Sequence, residues 1–332
     1  MMTKNMTQTA FVTGSTGFLG RHLCRQLVQA NWQVTAMCRS IPENTINGVN
    51  YVQADLLDKT AIQYVLPEQV DALFHTAADT NTWSKYNPRQ TQTNILGTLN
   101  LIQSAMKKQA KKFIHVSSIT TFGVDHHGMV ELSEDTPQEG GSSWVNYVKT
   151  KSMAEQIIKD HAQKLNAVVI NPTHIIGPDD QHNWIRLFKM MIHDELPTIP
   201  VGSGSFVDVR DVASGCILAA EKGQSGENYI LGGHNMDFET FIDQVAKAFE
   251  LKITKRRKPQ ALVKLAAKLK SMIAYVTGNP PDLTPESLQI ISHQFQTDSL
   301  KAQEQLGYQI TVLEDTLTDI RKNLIQRDIL NV

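Results

Sequence analysis

Short apolar runs alternate with segments of helical period through the first two thirds of the chain. Ala10–Thr13, Gln33–Arg39, Val49–Ala54, Ala72–Thr76, Lys112–Ser117 and Ala167–Ile170 read as strands. Arg21–Ala30, Thr60–Val65, Thr91–Lys108 and Val145–Leu165 space their apolar residues as amphipathic helices do. Strands that alternate with helices predict crossover units and an α/β fold with a doubly wound parallel sheet. Runs such as Ala72-Leu73-Phe74-His75 and Phe113-Ile114-His115-Val116 suit strands covered on both faces. After about residue 171 the rhythm breaks, and Gly177-Pro178, Pro197, Pro200, Gly202 and Gly204 crowd together. The expected division is a nucleotide-binding domain over 1–170, its core taking in parts of 205–232, and a smaller, mainly substrate-binding region over 171–332.

The turn after the first strand carries the strongest chemical signal. Thr13-Gly14-Ser15-Thr16-Gly17-Phe18-Leu19-Gly20 lies between a strand and a helix, the context that gives a glycine motif meaning. Gly14 permits a tight turn, Gly17 lets backbone approach a pyrophosphate, and Gly20 lets helix pack on strand. The helix N-terminus then offers free N–H groups to phosphate oxygens. A bound dinucleotide is expected here.

Tyr147 and Lys151 are four apart on an expected helix and share a face. A phenol titrates near about 10, too high for acid–base work at neutral pH. A neighbouring ammonium is expected to lower it toward the working range, and Lys151 can also bond a cofactor ribose. Ser117 and Ser118 stand at the C-terminal end of a buried strand, where an open α/β sheet presents its chemistry. The bland reading of each is a helix surface and a strand cap.

Composition narrows the classes. The chain has 332 residues, 41% hydrophobic and 20% charged, with formal net charge −1. Such a balance does not fit a general nucleic-acid binder. Its three cysteines, Cys24, Cys38 and Cys216, form no C-x-x-C pair. No disulfide framework or metal site is expected, and a cytoplasmic setting fits. Met1–Thr9 is polar, which argues against a signal peptide. No apolar run is long enough for a membrane span.

One stretch departs from this balance. Between Lys252 and Pro281 there is no acidic residue, but there are Lys252, Lys255, Arg256, Arg257, Lys258, Lys264, Lys268 and Lys270. Leu262, Leu265, Ala266, Leu269, Met272 and Ile273 recur at helical spacing. The plain expectation is a helix whose apolar face packs on the domain. The sharper ones are a lid over an apolar pocket, or peripheral contact of 252–276 with anionic lipid.

Together these motifs resemble an extended short-chain dehydrogenase/reductase of the NAD-dependent epimerase/dehydratase family. The resemblance runs through Thr13–Gly20, Asp55-Leu56-Leu57-Asp58, His75-Thr76-Ala77-Ala78, Asn94-Ile95-Leu96-Gly97-Thr98, Ser117-Ser118 and Tyr147 with Lys151. It continues through Asn171-Pro172-Thr173, Gly177-Pro178 and Val209-Arg210-Asp211-Val212-Ala213. The branch it is most similar to holds dihydroflavonol reductases and 3β-hydroxysteroid dehydrogenases.

The resemblance implies a Rossmann-type sheet and a catalytic set of Ser118, Tyr147 and Lys151, with Phe122-Gly123 setting the register on Ser118. It implies cofactor contacts from Gly14, Ser15, Thr16, Gly17, Phe18, Leu19 and Gly20, from Asp55 and Leu56 at the adenine, and from the backbone of Ala77 and Ala78. Pro172 and Ile175 would lie near the nicotinamide. Asn94 would organise the site. His75 is expected in the core, and Asp211 as the cap of a helix Val212–Glu221. Helices 91–108 and 145–165 form a dimer bundle in many relatives, so a homodimer is open.

The second strand ends in Arg39-Ser40, with no carboxylate at its tip. A guanidinium there suits a ribose 2′-phosphate, and Ser40 can add a hydrogen bond. NADP(H) is therefore expected over NAD(H), which stays open. Ile119-Thr120 stands where dehydratases of this family carry Asp-Glu, against elimination. The expected pocket wall is Thr80, Trp83, Ile119, Trp144, Asn183, Trp184 and Phe188, a largely apolar set. The expected activity is NADPH-dependent reduction of a small-molecule ketone or aldehyde. A nucleotide-sugar epimerase holding NAD is the alternative, and a redox sensor a third.

Overall fold

The computed structural model describes residues 7–124, 128–254 and 257–330. Its strands are β1 Thr9–Thr13, β2 Gln33–Cys38, β3 Val49–Gln53, β4 Ala72–His75, β5 Phe113–Val116 and β6 Met129–Leu132. They continue as β7 Ala167–Pro172, β8 His174–Ile176, β9 Ser203–Asp208, β10 Asn228–Leu231, β11 His234–Asp237 and β12 Gln294–Thr297. The helices of the first half are α1 Phe18–Gln29, α2 Lys59–Val65, α3 Asn87–Thr91, α4 Gly97–Lys107, α5 Asn146–Asp160 and α6 Ala162–Leu165. Those of the second half are α7 Ile185–Ile192, α8 Val209–Lys222, α9 Phe238–Ala248, α10 Gln260–Thr277, α11 Pro285–Ser292, α12 Leu300–Leu306 and α13 Leu313–Gln326.

Seven strands form one sheet in the order β10-β7-β5-β4-β1-β2-β3, and every pairing in it is parallel. This is the expected Rossmann-type α/β fold. The chain runs outward from β1 to β3, then crosses back to lay β4 on the other side of β1. That reversal leaves a crevice at the C-terminal strand ends, where the glycine turn lies.

Alternation along the strands explains the two coverings. Ala10, Val12, Ile114, Val116, Val168 and Ile170 face a core shared with α1 and α8. Phe11, Phe113, Ala167 and Val169 face a second core with α4 and α5. A third core gathers Phe188, Phe206, Phe238, Phe241 and Leu317 beyond the sheet, around the small sheet β11-β9-β8.

Local chemistry moved several expected boundaries. α1 begins at Phe18 because extended Gly17 is its N-cap, so the motif itself supplies the first turn. The expected single helix over 145–165 is interrupted at His161. There the imidazole donates to the Ile157 carbonyl at 2.8 Å, and the backbone N–H falls back to Ile158. The segment expected as one helix from Thr91 starts earlier, at Asn87, and carries a π-helical stretch over Gln92–Leu96. Asp208, not Asp211, caps α8, accepting from Arg210 N–H. Asp211 instead accepts from the backbone and hydroxyl of Thr311 at 2.7 Å, fastening the C-terminal region to α8.

The expected packing of the basic helix is reversed. On α10 the buried residues are Ala267 and Ala274, while Leu262, Leu265, Leu269, Met272, Ile273 and Val276 are exposed. Lys255 and Arg256 of that segment lie outside the described residues.

Candidate active site

A cleft of about 680 Å³ opens along the C-terminal ends of β1, β4, β5 and β7. Gly14, Thr16, Gly17, Phe18, Leu19 and Gly20 line one end, with Arg21 and Arg39 beside them. Gly14 has φ +71°, and a Cβ there would stand 2.6 Å from Ala77 N. At Gly20 a Cβ would come within 2.1 Å of the Gly14 carbonyl oxygen. The turn therefore closes only without side chains at these two positions. No side chain caps the start of α1, so its first N–H groups are directed into the cleft end. This donor-rich turn, kept open by its glycines, fits a dinucleotide pyrophosphate.

The other expected cofactor residues are placed as follows. Ala78, Pro172 and Ile175 line the cleft. Ser15 is buried and donates to Met37 O, which ties the turn to β2. Ala77 packs its backbone on Gly14. Asp55 accepts from Leu57 N–H, Leu56 packs on Gly97, and Ser40 is exposed. Ser15, Ser40, Asp55, Leu56 and Ala77 stand outside the cleft lining.

Ser118, Tyr147 and Lys151 meet in the cleft. Ser118 accepts from Thr120 N–H at 3.2 Å and from its hydroxyl at 3.0 Å, and hydrogen-bonds Tyr147. Lys151 is buried and donates to Val116 O at 2.7 Å. Burial pushes its pKa down to about 8, opposed by the Glu155 charge. The expected lowering of the Tyr147 pKa is not what the geometry produces. Burial raises that pKa, and the Ser118 bond pulls against it. The phenol is thus held protonated at neutral pH.

A buried network not anticipated from sequence braces this set. Glu155 accepts from Ser117 Oγ at 2.5 Å, Asn171 Nδ2 at 2.8 Å, Gln138 Nε2 at 2.6 Å and Lys159 Nζ at 3.0 Å. Asn171 also donates to the Ser118 carbonyl at 3.2 Å. One carboxylate therefore locks α5, which carries Tyr147 and Lys151, to the β5 end that carries Ser118. The readable signal was its spacing, since Glu155 is the next step on the Tyr147–Lys151 stripe. Asn94 bonds Asp79 N–H through Oδ1 and Thr150 through Nδ2, joining the loop after β4 to α5.

His75 and His115 are buried beside Lys151. Burial first, then the Lys151 charge, depresses both, His75 to about 3. Thr98 gives its proton to Asn94 O, so its oxygen accepts from His75 Nε2–H. His75 Nδ1 then accepts from Thr13. His75 is a neutral core residue. Burial raises the thiols of Cys24 and Cys216 to about 12, which makes them poor nucleophiles.

Thr80, Ile119, Asn183 and Trp184 line the outer half of the cleft, with Val124, His174, Ile290 and Phe295. His174 packs on Trp184 at 5.3 Å and on Phe295 at 5.5 Å. Its pKa falls to about 4 through burial and then the neighbouring His293, so it is neutral. The Asp179 carboxylate is paired with Arg25 at 2.7 Å, and Asp180 accepts from the backbone of His182, Asn183 and Ile185. Trp83 and Phe188 are buried away from the cleft, and Trp144 is exposed outside it.

The model of the NAD-dependent epimerase/dehydratase family matches residues 10–232. The chain belongs to that family. A Synechocystis protein provisionally named dihydroflavonol 4-reductase is 28% identical over 325 residues, covering 95% of this chain and 94% of that protein. A 2-alkyl-3-oxoalkanoate reductase of Stenotrophomonas maltophilia is 32% identical over 194 residues, 58% of either chain. The crystal structure of gox2253 superposes with TM-score 0.83 at 27% identity, covering 98% of this chain and 100% of that one. The protein is an NAD(P)-dependent oxidoreductase of the extended short-chain type. Among the described residues, no helix is long and apolar enough to cross a membrane.

Proposed function

We propose that the protein is an NADPH-dependent reductase of a largely apolar ketone or aldehyde, reversible as an alcohol dehydrogenase. The observation that carries this reading is the split of charge along the cleft. Arg21, Arg39 and Lys151 are the only Lys or Arg among its described lining residues, and the two arginines sit at the glycine-turn end. A 2′-phosphate finds a guanidinium there. The outer half offers aromatic and aliphatic walls, neutral imidazole, and carboxylates already tied. Among the described residues it holds no Lys or Arg for a sugar diphosphate.

The glycine turn would cradle the pyrophosphate, and Pro172 and Ile175 would lie against the nicotinamide. A bound nicotinamide supplies hydride; the chain supplies placement and the proton. Ser118 Oγ orients the carbonyl oxygen. Tyr147 gives that oxygen its phenolic proton as the carbonyl carbon accepts hydride, so the alcohol forms with charge balanced. The raised phenol pKa keeps the proton loaded at neutral pH but makes its release harder, so the transfer relies on the neighbouring Lys151 ammonium to stabilise the phenolate. Lys151 steadies the phenolate that results and would bond a ribose hydroxyl of the cofactor. Residues 1–170 would hold the nucleotide, and 171–332 most of the substrate.

The test is oxidation of NADPH and NADH by the purified protein across aldehydes, alkyl and cyclic ketones, 3-oxo steroids and flavanonols. UDP-sugars are followed by product analysis. NADPH-preferring turnover of a carbonyl is expected. Interconversion of a UDP-sugar with no net NADPH consumption would overturn the reading.

A further inference from the structure

We propose that α10 docks the protein on an anionic lipid surface, with the mouth of the cleft turned toward the bilayer. The helix spans 18 residues, about 27 Å. It packs inward through small residues, Ala267 and Ala274, and presents Leu262, Leu265, Leu269, Met272, Ile273 and Val276 to solvent. Val276 is 89% exposed and Met272 66%. With 3.6 residues per turn these six fall within roughly a 100° arc. A helix stabilised by its own domain would bury that stripe.

The charges say what covers it. Lys264 and Lys268 border one side of the stripe and Lys270 the other, and all three are exposed. No carboxylate occurs anywhere from residue 252 to 281. A second copy meeting this face about a two-fold axis would oppose lysine to lysine with no acid to separate them. An anionic lipid interface instead takes the apolar stripe among its acyl chains and the lysines among its headgroups.

The face adjoins the cleft. Tyr275 of α10 bonds Ser84 at 2.8 Å and packs on Trp83 at 5.5 Å. Thr284, which caps α11, donates to Thr82 O at 3.2 Å. Thr80, Thr82 and the α11 residue Ile290 all line the cleft. Resting on the reductase reading, the substrate class is then a carbonyl compound dissolved in the membrane.

Flotation with vesicles tests the docking. The full-length protein should float with phosphatidylcholine vesicles containing one-third phosphatidylglycerol, roughly tenfold more than with phosphatidylcholine alone, and less in high salt. The pair Leu269→Glu and Ile273→Glu should abolish flotation. Lys264→Gln, Lys268→Gln and Lys270→Gln together should remove the preference for phosphatidylglycerol. Both variants should reduce a water-soluble ketone like wild type, which shows that they fold. No flotation of wild type overturns the docking, as does flotation unchanged by the Glu pair. So does a wild-type dimer in light scattering that the Glu pair converts to monomer. Turnover of a long-chain ketone held in the anionic vesicles should fall in the Glu pair but not in soluble assays. Equal rates overturn the membrane-borne substrate alone. Absence of any ketone reduction overturns the reductase reading while leaving flotation to judge the docking.

Discussion

Replacing Lys151 by Met would measure the energy stored in one buried ammonium. Its pKa in the folded chain is about 8, against 10.5 for the free side chain. That gap of about two and a half pH units is worth on the order of 3 kcal/mol. Below about pH 8 both folded and unfolded chains hold the proton, and the full cost of the buried charge is present. Between about 8 and 10.5 the unfolded chain holds it while the folded chain has released it. The unfolded state then binds more protons, so the Lys151 contribution to stability rises with pH. Lys151→Met keeps the apolar stem and removes the titration. Below about pH 8, where the amine is charged, loss of the bond to Val116 O, 2.7 Å in the wild type, costs the variant about 1.5–3 kcal/mol. The stability of wild type minus variant should therefore climb by up to about 3 kcal/mol from pH 7 to 10.5. Urea unfolding of both proteins at steps across that range gives the curve, and subtracting the variant cancels the other titrating groups. Parallel curves would show that Lys151 keeps an ordinary pKa, and with it would fall the account of its burial.

Three further outcomes follow from the same geometry. Tyr147→Phe should lower kcat/KM by about 10²–10⁴-fold, with NADPH binding by fluorescence titration unchanged; near-normal turnover removes Tyr147 as the acid. Arg39→Ala removes a charge-assisted bond worth about 1.5–3 kcal/mol, so the NADPH-over-NADH preference should fall roughly 10- to 100-fold, and an unchanged preference would leave Arg39 without a selecting role. Glu155→Gln should cost about 3 kcal/mol in urea unfolding, because it breaks a buried ion pair and sets amide against amide. It should also move the alkaline limb of kcat/KM to lower pH, since the Glu155 charge holds the Lys151 pKa up; an unmoved limb would disconnect the two.

What could be read from the chain was what short range decides. The glycine turn, the β1–α1 unit and the Tyr147–Lys151 spacing depend on neighbours within a turn or two, and the structure brings them together at one cleft. Of the expected strands, β4 and β5 were legible because they are buried along their whole length, whereas the edge strand β3, with no buried residue, was legible from its place in the strand–helix alternation. β10 and the pairing of β12 with β6 were not, since Gln294↔Met129 contact joins segments far apart in the chain. Glu155 shows the same limit at the site. On its own helix it is one acidic residue among polar ones, and nothing local says that Ser117, Gln138 and Asn171 will close over it.

The aromatic residues carry this furthest. Trp83, Trp144, Trp184 and Phe188 look alike as loop or helix aromatics, yet only Trp184 of these four lines the cleft. Phe188 is held in the third core, against Phe249 at 5.4 Å, and Trp83 is buried elsewhere, against Tyr86 at 5.2 Å. On α10 the stripe of large apolar residues was visible in the sequence, but its direction was not. Periodicity reports that a helix has two faces, and only the tertiary partner decides which face the protein keeps. Where that partner takes up Ala267, Ala274 and the Tyr275 ring, the aliphatic stripe is left for something outside the chain.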